Sequence, residues 1–207
     1  MKPDLWQPIA KHIQELQQWI KRLDNLIANK TQESNRIKGT VPKVVSHIQR
    51  HIDFLNIEIK EVEQLIADHI KQHKDLEDKH ELLSSIPGVG DKTIAIVLAF
   101  LDAGNFNSAK QVAAFVGLNP KPRLSGSSVH GVSRISNTGD LDLRKAFYMP
   151  AVVSIRFNPI IKAFYQRLIN EGKPKMVAVI AAMRKLLHII YGILKTRTLF
   201  NTNIQMI

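Results

Sequence analysis

Four residues, Ser125-Gly126-Ser127-Ser128, stand between Lys121 and Arg123 on one side and His130 and Arg134 on the other. A serine hydroxyl is a weak nucleophile until a base takes its proton or nearby cations stabilise the charge of the product. Arginine meets the second condition for a phosphodiester, because its planar fork donates to two phosphate oxygens at once. An exposed serine in this setting can attack a phosphodiester and become linked to it as phosphoserine. The same composition also describes a flexible or phosphate-contacting loop that does no chemistry. Arg144 and Lys145, farther along, add candidate phosphate contacts.

A second candidate is the turn Ile86-Pro87-Gly88-Val89-Gly90-Asp91-Lys92. Glycines take positive φ and let a phosphate approach the backbone. The first amides of a following helix are unpaired and carry the positive end of its dipole. Lys92 supplies a full charge there, while Asp91 favours the helix but opposes an anion. Leu82, Leu83 and Ile86 before the turn, with Ile94, Val97 and Leu98 after it, would clamp two helices together. The pattern resembles a helix-hairpin-helix, a sequence-independent binder of the DNA backbone. Its alternative is a plain turn between two packed helices. His47, His51, His69, His73 and His80 include pairs four apart on one helix face, but no carboxylate–histidine pattern of a metal site accompanies them. They read as solvated or packed side chains, and no metal ligand is assigned.

The elements that must position these residues follow two grammars. In the first, Trp6, Ile9, Ile13, Leu16, Ile20, Leu23 and Ile27 alternate steps of three and four. Val45, Ile48, Ile52, Leu55, Ile59, Val62 and Ile66 repeat that spacing after a break at 38–42. Such heptad stripes predict two long helices, starting near Pro8 and Pro42, that pack as an antiparallel hairpin or pair with another chain. From about Leu83 the grammar changes to short helices punctuated by Gly, Pro and Ser. Helices are expected at 94–101, at 107–115 with Ser108 as a cap, at 140–153, at 159–170 and at 175–194. Residues 117–131 read as a loop or short hairpin, and no run reads as a central strand. The fold class is mostly α: a helical hairpin over 1–82, suited to oligomerisation, then a compact helical domain over 83–207.

The chain has 207 residues, is 44% hydrophobic and contains no Cys, so it can build a core but holds neither disulfides nor thiolate metal sites. Residues 1–83 carry 13 basic and 13 acidic side chains, whereas residues 84–207 carry 16 and 5. All of the net charge of +11 therefore falls in the second half. That asymmetry points to a polyanion partner, meaning nucleic acid or an acidic membrane surface. The apolar face of 175–195 reads as core at helical spacing, so a membrane role ranks below nucleic acid. Without a signal-peptide core or a long apolar run, the expected location is cytoplasmic. Asp102, Asp140 and Asp142 form no recognisable metal set.

The order of segments is more specific than any one of them. IPGVGDKTI, then AAFVGLNPKPRLSGSS, then GVSRISNTGDLDLRKAFYMPA, then KMVAVIAAMRKLLHIIYGIL resemble the C-terminal half of IS110-family (IS116/IS110/IS902) transposases. The likeness runs from about Leu83 to Lys195, and the heptad hairpin before it looks like that family's coiled-coil insert. The resemblance implies a DNA recombinase whose serine nucleophile is matched here by Ser125, with Ser127 and Ser128 as neighbouring alternatives. It also implies oligomers formed through the helical hairpins and, for some members, a structured guide RNA. Gly88, Gly90 and Lys92 would be the backbone-contact turn. Lys121, Arg123, His130, Arg134, Arg144 and Lys145 are nucleic-acid-binding candidates by their chemistry. The family pattern has an earlier RuvC-like α/β domain whose acidic residues bind divalent metal. This chain shows no match to it, so Mg²⁺ is expected only through such a domain. The chain thus reads as the C-terminal part of a transposase, from a truncated reading frame, a restart product or an excised piece. Alternatives are a non-catalytic DNA- or RNA-binding fragment that pairs with or inhibits the full-length protein, and a coiled-coil oligomer with no nucleic-acid role.

Overall fold

The computed structural model describes residues 8–125, 129–135 and 138–202. Trp6, Gly126, Ser127 and Ser128 lie outside the described residues. The chain divides into two compact units, Met1–Glu77 and Asp78–Ile207.

The first unit is built on two long helices, α1 (Lys11–Arg36) and α2 (Pro42–Gln72). The break between them contains Gly39 at φ 84°, and Pro42 occupies the first turn of α2, where its missing N–H is no loss. Contacts between the helices run in opposite order along the two sequences. His69 Nε2 donates to the His12 carbonyl at 2.8 Å, Arg22 meets Glu58 at 3.5 Å, and Glu33 meets His51 at 4.0 Å. The two helices are therefore antiparallel. Leu16, Ile20, Leu23 and Leu26 of α1 are buried, as are Ile52, Leu55, Val62, Ile66 and Ile70 of α2. Each such burial contributes about 2 kcal/mol before chain entropy is subtracted. Of the expected stripe, Ile13 and Ile27 are only partly covered and Ile9 is exposed, while Leu26 takes a core place. His73, extended at φ −116° and ψ 106°, ends α2, and α3 (Lys74–Ser84) follows with the unit boundary inside it.

After the end of α3, the second unit contains α4 (Asp91–Phe100), α5 (Ala109–Phe115), α6 (Leu141–Phe157), α7 (Pro159–Asn170) and α8 (Lys175–Thr196). A short 3-10 turn at Ala103–Asn105 lies between α4 and α5. Ser108 caps α5 by accepting from the Gln111 amide at 3.3 Å. Asn158 caps α7 from a fully buried position, accepting from the Ile160 and Ile161 amides at 3.1 and 3.2 Å. Pro150 sits inside α6, where it removes one ladder hydrogen bond, and it is buried. α8 is the core helix: it packs on α5, α6 and α7, and Ala178, Ala182, Leu186, Leu187 and Ile190 are fully buried. Among the described residues it is also the one helix long and apolar enough to cross a membrane. Half of its most apolar window is buried within the protein. Tyr191 of α8 donates to the Phe106 carbonyl at 2.9 Å. Between α5 and α6 the chain forms one antiparallel pair, β1 (Pro120–Ser125) and β2 (Val129–Ile135). The short hairpin, one of the two readings of 117–131, is what forms.

Candidate nucleic-acid interface

The hairpin brings Ser125 and the candidates Lys121, Arg123, His130 and Arg134 onto one small element. Its register pairs Lys121 with Arg134, Arg123 with Gly131, Leu124 with His130 and Ser125 with Val129. An irregularity falls between Lys121 and Arg123. Ser125 is the last residue of β1 and so lies at the tip of the ribbon. A two-stranded ribbon has little stability alone and must be held from outside.

Its root supplies that hold. Gly117 and Gly139 both have positive φ, at 75° and 118°, and their backbones lie against each other. A Cβ on Gly139 would stand 2.5 Å from the Gly117 nitrogen and 2.8 Å from the Phe115 carbonyl oxygen. A Cβ on Gly117 would meet the Arg144 guanidinium and stand 2.6 Å from the Thr138 carbonyl oxygen. Arg144 Nε donates to the Val116 carbonyl at 3.3 Å, and the Asp140 amide donates to the Phe115 carbonyl at 2.9 Å. The Asp140 side chain then caps α6, accepting from the Asp142 and Leu143 amides at 3.0 and 2.9 Å. Both ends of the ribbon are thereby fastened to the start of α6. The spaced series GLNP…G…LR marks this clasp, so Gly117, Gly139 and Asp140 hold the root of the ribbon, a structural part that a search for reactive side chains alone passes over.

The glycine turn divides into two roles. Gly88 has φ 94°, and a Cβ there would strike the Ser154 hydroxyl and stand 2.7 Å from the Ser154 nitrogen. Ser154, fully buried on α6, donates to the Pro87 carbonyl at 3.1 Å. Gly88 thus lets the turn seat on α6. Gly90 is exposed at φ −100°, caps α4, and has no atom within 4 Å of where a Cβ would go. The exposed start of α4 therefore belongs to Gly90, Asp91 and Lys92. Asp91 lies 3.2 Å from His80 Nε2. Arg144 and Ser154 are ten residues apart on α6, so the ribbon root and the turn attach about 15 Å apart along one rod. Lys145 is exposed beside Asp142 at 3.4 Å.

No metal set forms from these acids. Asp91 faces His80, Asp102 accepts from the Gly104 amide, Asp140 caps α6, Asp142 pairs with Lys145, and Glu171 pairs with Arg167. Those five are all the carboxylates of residues 84–207. Among the described residues no group of three or more His, Cys, Asp or Glu converges to hold an ion.

Residues 80–166 match the profile described as "Transposase IS116/IS110/IS902 family". The chain is 33% identical over 205 residues to the pilin gene-inverting protein of Moraxella bovis, a match covering 98% of this chain and 64% of that protein. The pilin gene-inverting protein of Moraxella lacunata matches to the same extent. The uncharacterized 42 kDa protein of insertion element IS900 from Mycobacterium paratuberculosis is 30% identical over 186 residues, which is 86% of this chain and 45% of that protein. The chain thus spans less than two thirds of these relatives.

Proposed function

Through residues 80–166 this chain belongs to the IS116/IS110/IS902 transposase family, and from that premise we propose that it serves DNA transposition by binding DNA and presenting Ser125 for strand transfer. The observation that carries the reading is the ribbon fastened to α6 by Gly117, Gly139 and Arg144, with Ser125 at its tip and Lys121, Arg123, His130 and Arg134 along its strands. In the step envisaged, Ser125 Oγ forms a bond to phosphorus while the bond from phosphorus to one strand breaks. A base takes the serine proton and returns it to the leaving oxygen, so that the leaving strand ends in a hydroxyl. Cations on the ribbon would offset the charge that builds on the phosphoryl oxygens. The phosphoserine link keeps the strand end activated until another strand's hydroxyl attacks it. The Moraxella relatives are named for inverting a gene.

Gly90 and Lys92 would add a contact to the DNA backbone at the start of α4. α2 leaves Phe54, Ile57 and Leu65 exposed, outside its seam with α1. That face is where a second copy or a full-length transposase would pair as a coiled coil. A guide RNA would be a further partner of the basic half. Since none of the unit's carboxylates is arranged for a metal, any divalent cation would come with acids from another segment or chain. That same observation supports a second reading, in which the chain binds nucleic acid without chemistry and pairs with active protein.

The test is a DNA substrate with a strand break that traps covalent intermediates. A protein–DNA adduct mapped to Ser125 by mass spectrometry and absent in Ser125→Ala supports the first reading. An adduct that survives Ser125→Ala and disappears in S127A or S128A moves the nucleophile to that serine. Salt-sensitive binding with no adduct, even when full-length protein is added, supports the second.

A further inference from the structure

We infer that the outer face of α8, together with the adjoining sides of α5 and α7, is a second docking surface for the phosphate backbone of duplex DNA. This inference rests on the proposed DNA-binding function and adds a surface to it, distinct from the ribbon and the glycine turn. The face is formed by Lys110 of α5, Arg167 of α7, and Arg184, Lys185, His188 and Lys195 of α8. None of these three helices contains an Asp or Glu. Among the described residues, no carboxylate pairs with Lys110, Arg184, Lys185 or Lys195. Arg167 alone has an acid nearby, Glu171 at 3.7 Å.

The crowding of like charge is direct. Arg167 Cζ and Lys185 Nζ both lie over the Phe164 ring, 5.3 and 5.6 Å from its centroid. Lys195 Nζ stands 5.8 Å from the centroid of Tyr191. Burial, and then the Arg167 charge, hold the Lys185 ammonium below its ordinary pKa. His188 has its Nε2 shielded from water with no partner. Burial and the charges of Arg184, Lys185 and Lys110 hold its imidazole below the ordinary range. A bound polyanion would relieve this repulsion, and it would release counterions as it did so.

The geometry favours duplex backbone over an unpaired strand. From Arg184 to Lys195 the row runs about 16 Å along the axis of α8. Gly192 on the same helix leaves open space where a side chain would stand. Proteins that hold single strands stack bases on free aromatic faces. Here Phe164 and Tyr191 each have a cation over the ring.

The experiment uses the whole chain and a fluorescein-labelled random-sequence duplex of 30 base pairs. Anisotropy is read across about 50–200 mM salt. R184Q/K185Q should bind about tenfold more weakly at moderate salt, with a salt slope shallower by roughly 2. The charge-conserving pair R184K/K185R should restore both, and circular dichroism melts should coincide for all three proteins. Unchanged affinity and slope in R184Q/K185Q, with loss in K121Q/R123Q, would overturn this surface while leaving the proposed function standing. Failure of the unaltered chain to bind any duplex would overturn both. Tighter binding of a single-stranded RNA of equal length, with the same loss in R184Q/K185Q, would overturn the duplex assignment. As a readout without mutation, bound duplex should slow acetylation of Lys185, and an unchanged rate would also overturn the surface.

Discussion

Gly88→Ala is the substitution that tests most of the reasoning at once. Three terms add at this position. The backbone lies at φ 94°, where an L-residue costs about 1–2 kcal/mol. The new methyl would stand 2.7 and 2.8 Å from the backbone nitrogen and Cα of Ser154. Those are main-chain atoms of α6, so relief requires moving a helix, at about 1–3 kcal/mol. Such a shift also strains the hydrogen bond from the buried Ser154 hydroxyl to the Pro87 carbonyl, whose loss costs about 1–3 kcal/mol. The expected destabilisation is about 3–8 kcal/mol. Gly90→Ala is the internal comparison. Its φ of −100° suits alanine and its surroundings are open, so its effect should stay within about 1 kcal/mol. The assay is urea unfolding followed by circular dichroism, with the transition of the second unit read separately. A thermal midpoint lower by at least about 10 °C should accompany Gly88→Ala. If Gly88→Ala unfolds within 1 kcal/mol of the parent chain, or if Gly90→Ala is the more damaging of the two, Gly88 is not the seat of the turn on α6.

Further outcomes follow from the same geometry. Gly117→Ala and Gly139→Ala should each loosen the ribbon from α6, speed protease cleavage between residues 118 and 138, and weaken DNA binding, while α8 keeps its protection in hydrogen exchange. Asp140→Ala should destabilise the second unit by about 1 kcal/mol through the lost cap of α6, as measured by urea unfolding. His188 adds a pH dependence whose sign is set by its lowered folded pKa. Below about pH 6.5 the unfolded chain takes up a proton that the folded site resists, so this stability is full above that pH and declines as pH falls through the folded value. H188Q should therefore lose less stability than the parent between pH 7.5 and 5.

Much of the architecture is legible in the residue order, because it depends on contacts a few positions apart. Stripes of apolar residues three and four apart define the faces of α1 and α2, and Pro42 marks a helix start. Ser108 lies where a cap belongs, and the helices at 159–170 and 175–196 fall close to where periodicity puts them. The break at His73 is not legible, because the residues around it continue a helical pattern. The concentration of positive charge in the second half is likewise a property of the sequence alone. Tertiary structure decided which residues meet. Gly88 and Gly90 look equivalent in the sequence, yet Ser154, 66 positions after Gly88, separates a packing glycine from an open one. Arg144 reads as a free cation until the ribbon root closes and occupies its Nε with the Val116 carbonyl. The basic face likewise depends on α5 and α7 packing on α8, which brings Arg167 to the same Phe164 ring as Lys185 and the Lys110 charge to His188. Periodicity specifies which side of a helix is covered, but not what covers it, since that choice comes from closing the chain over long distances.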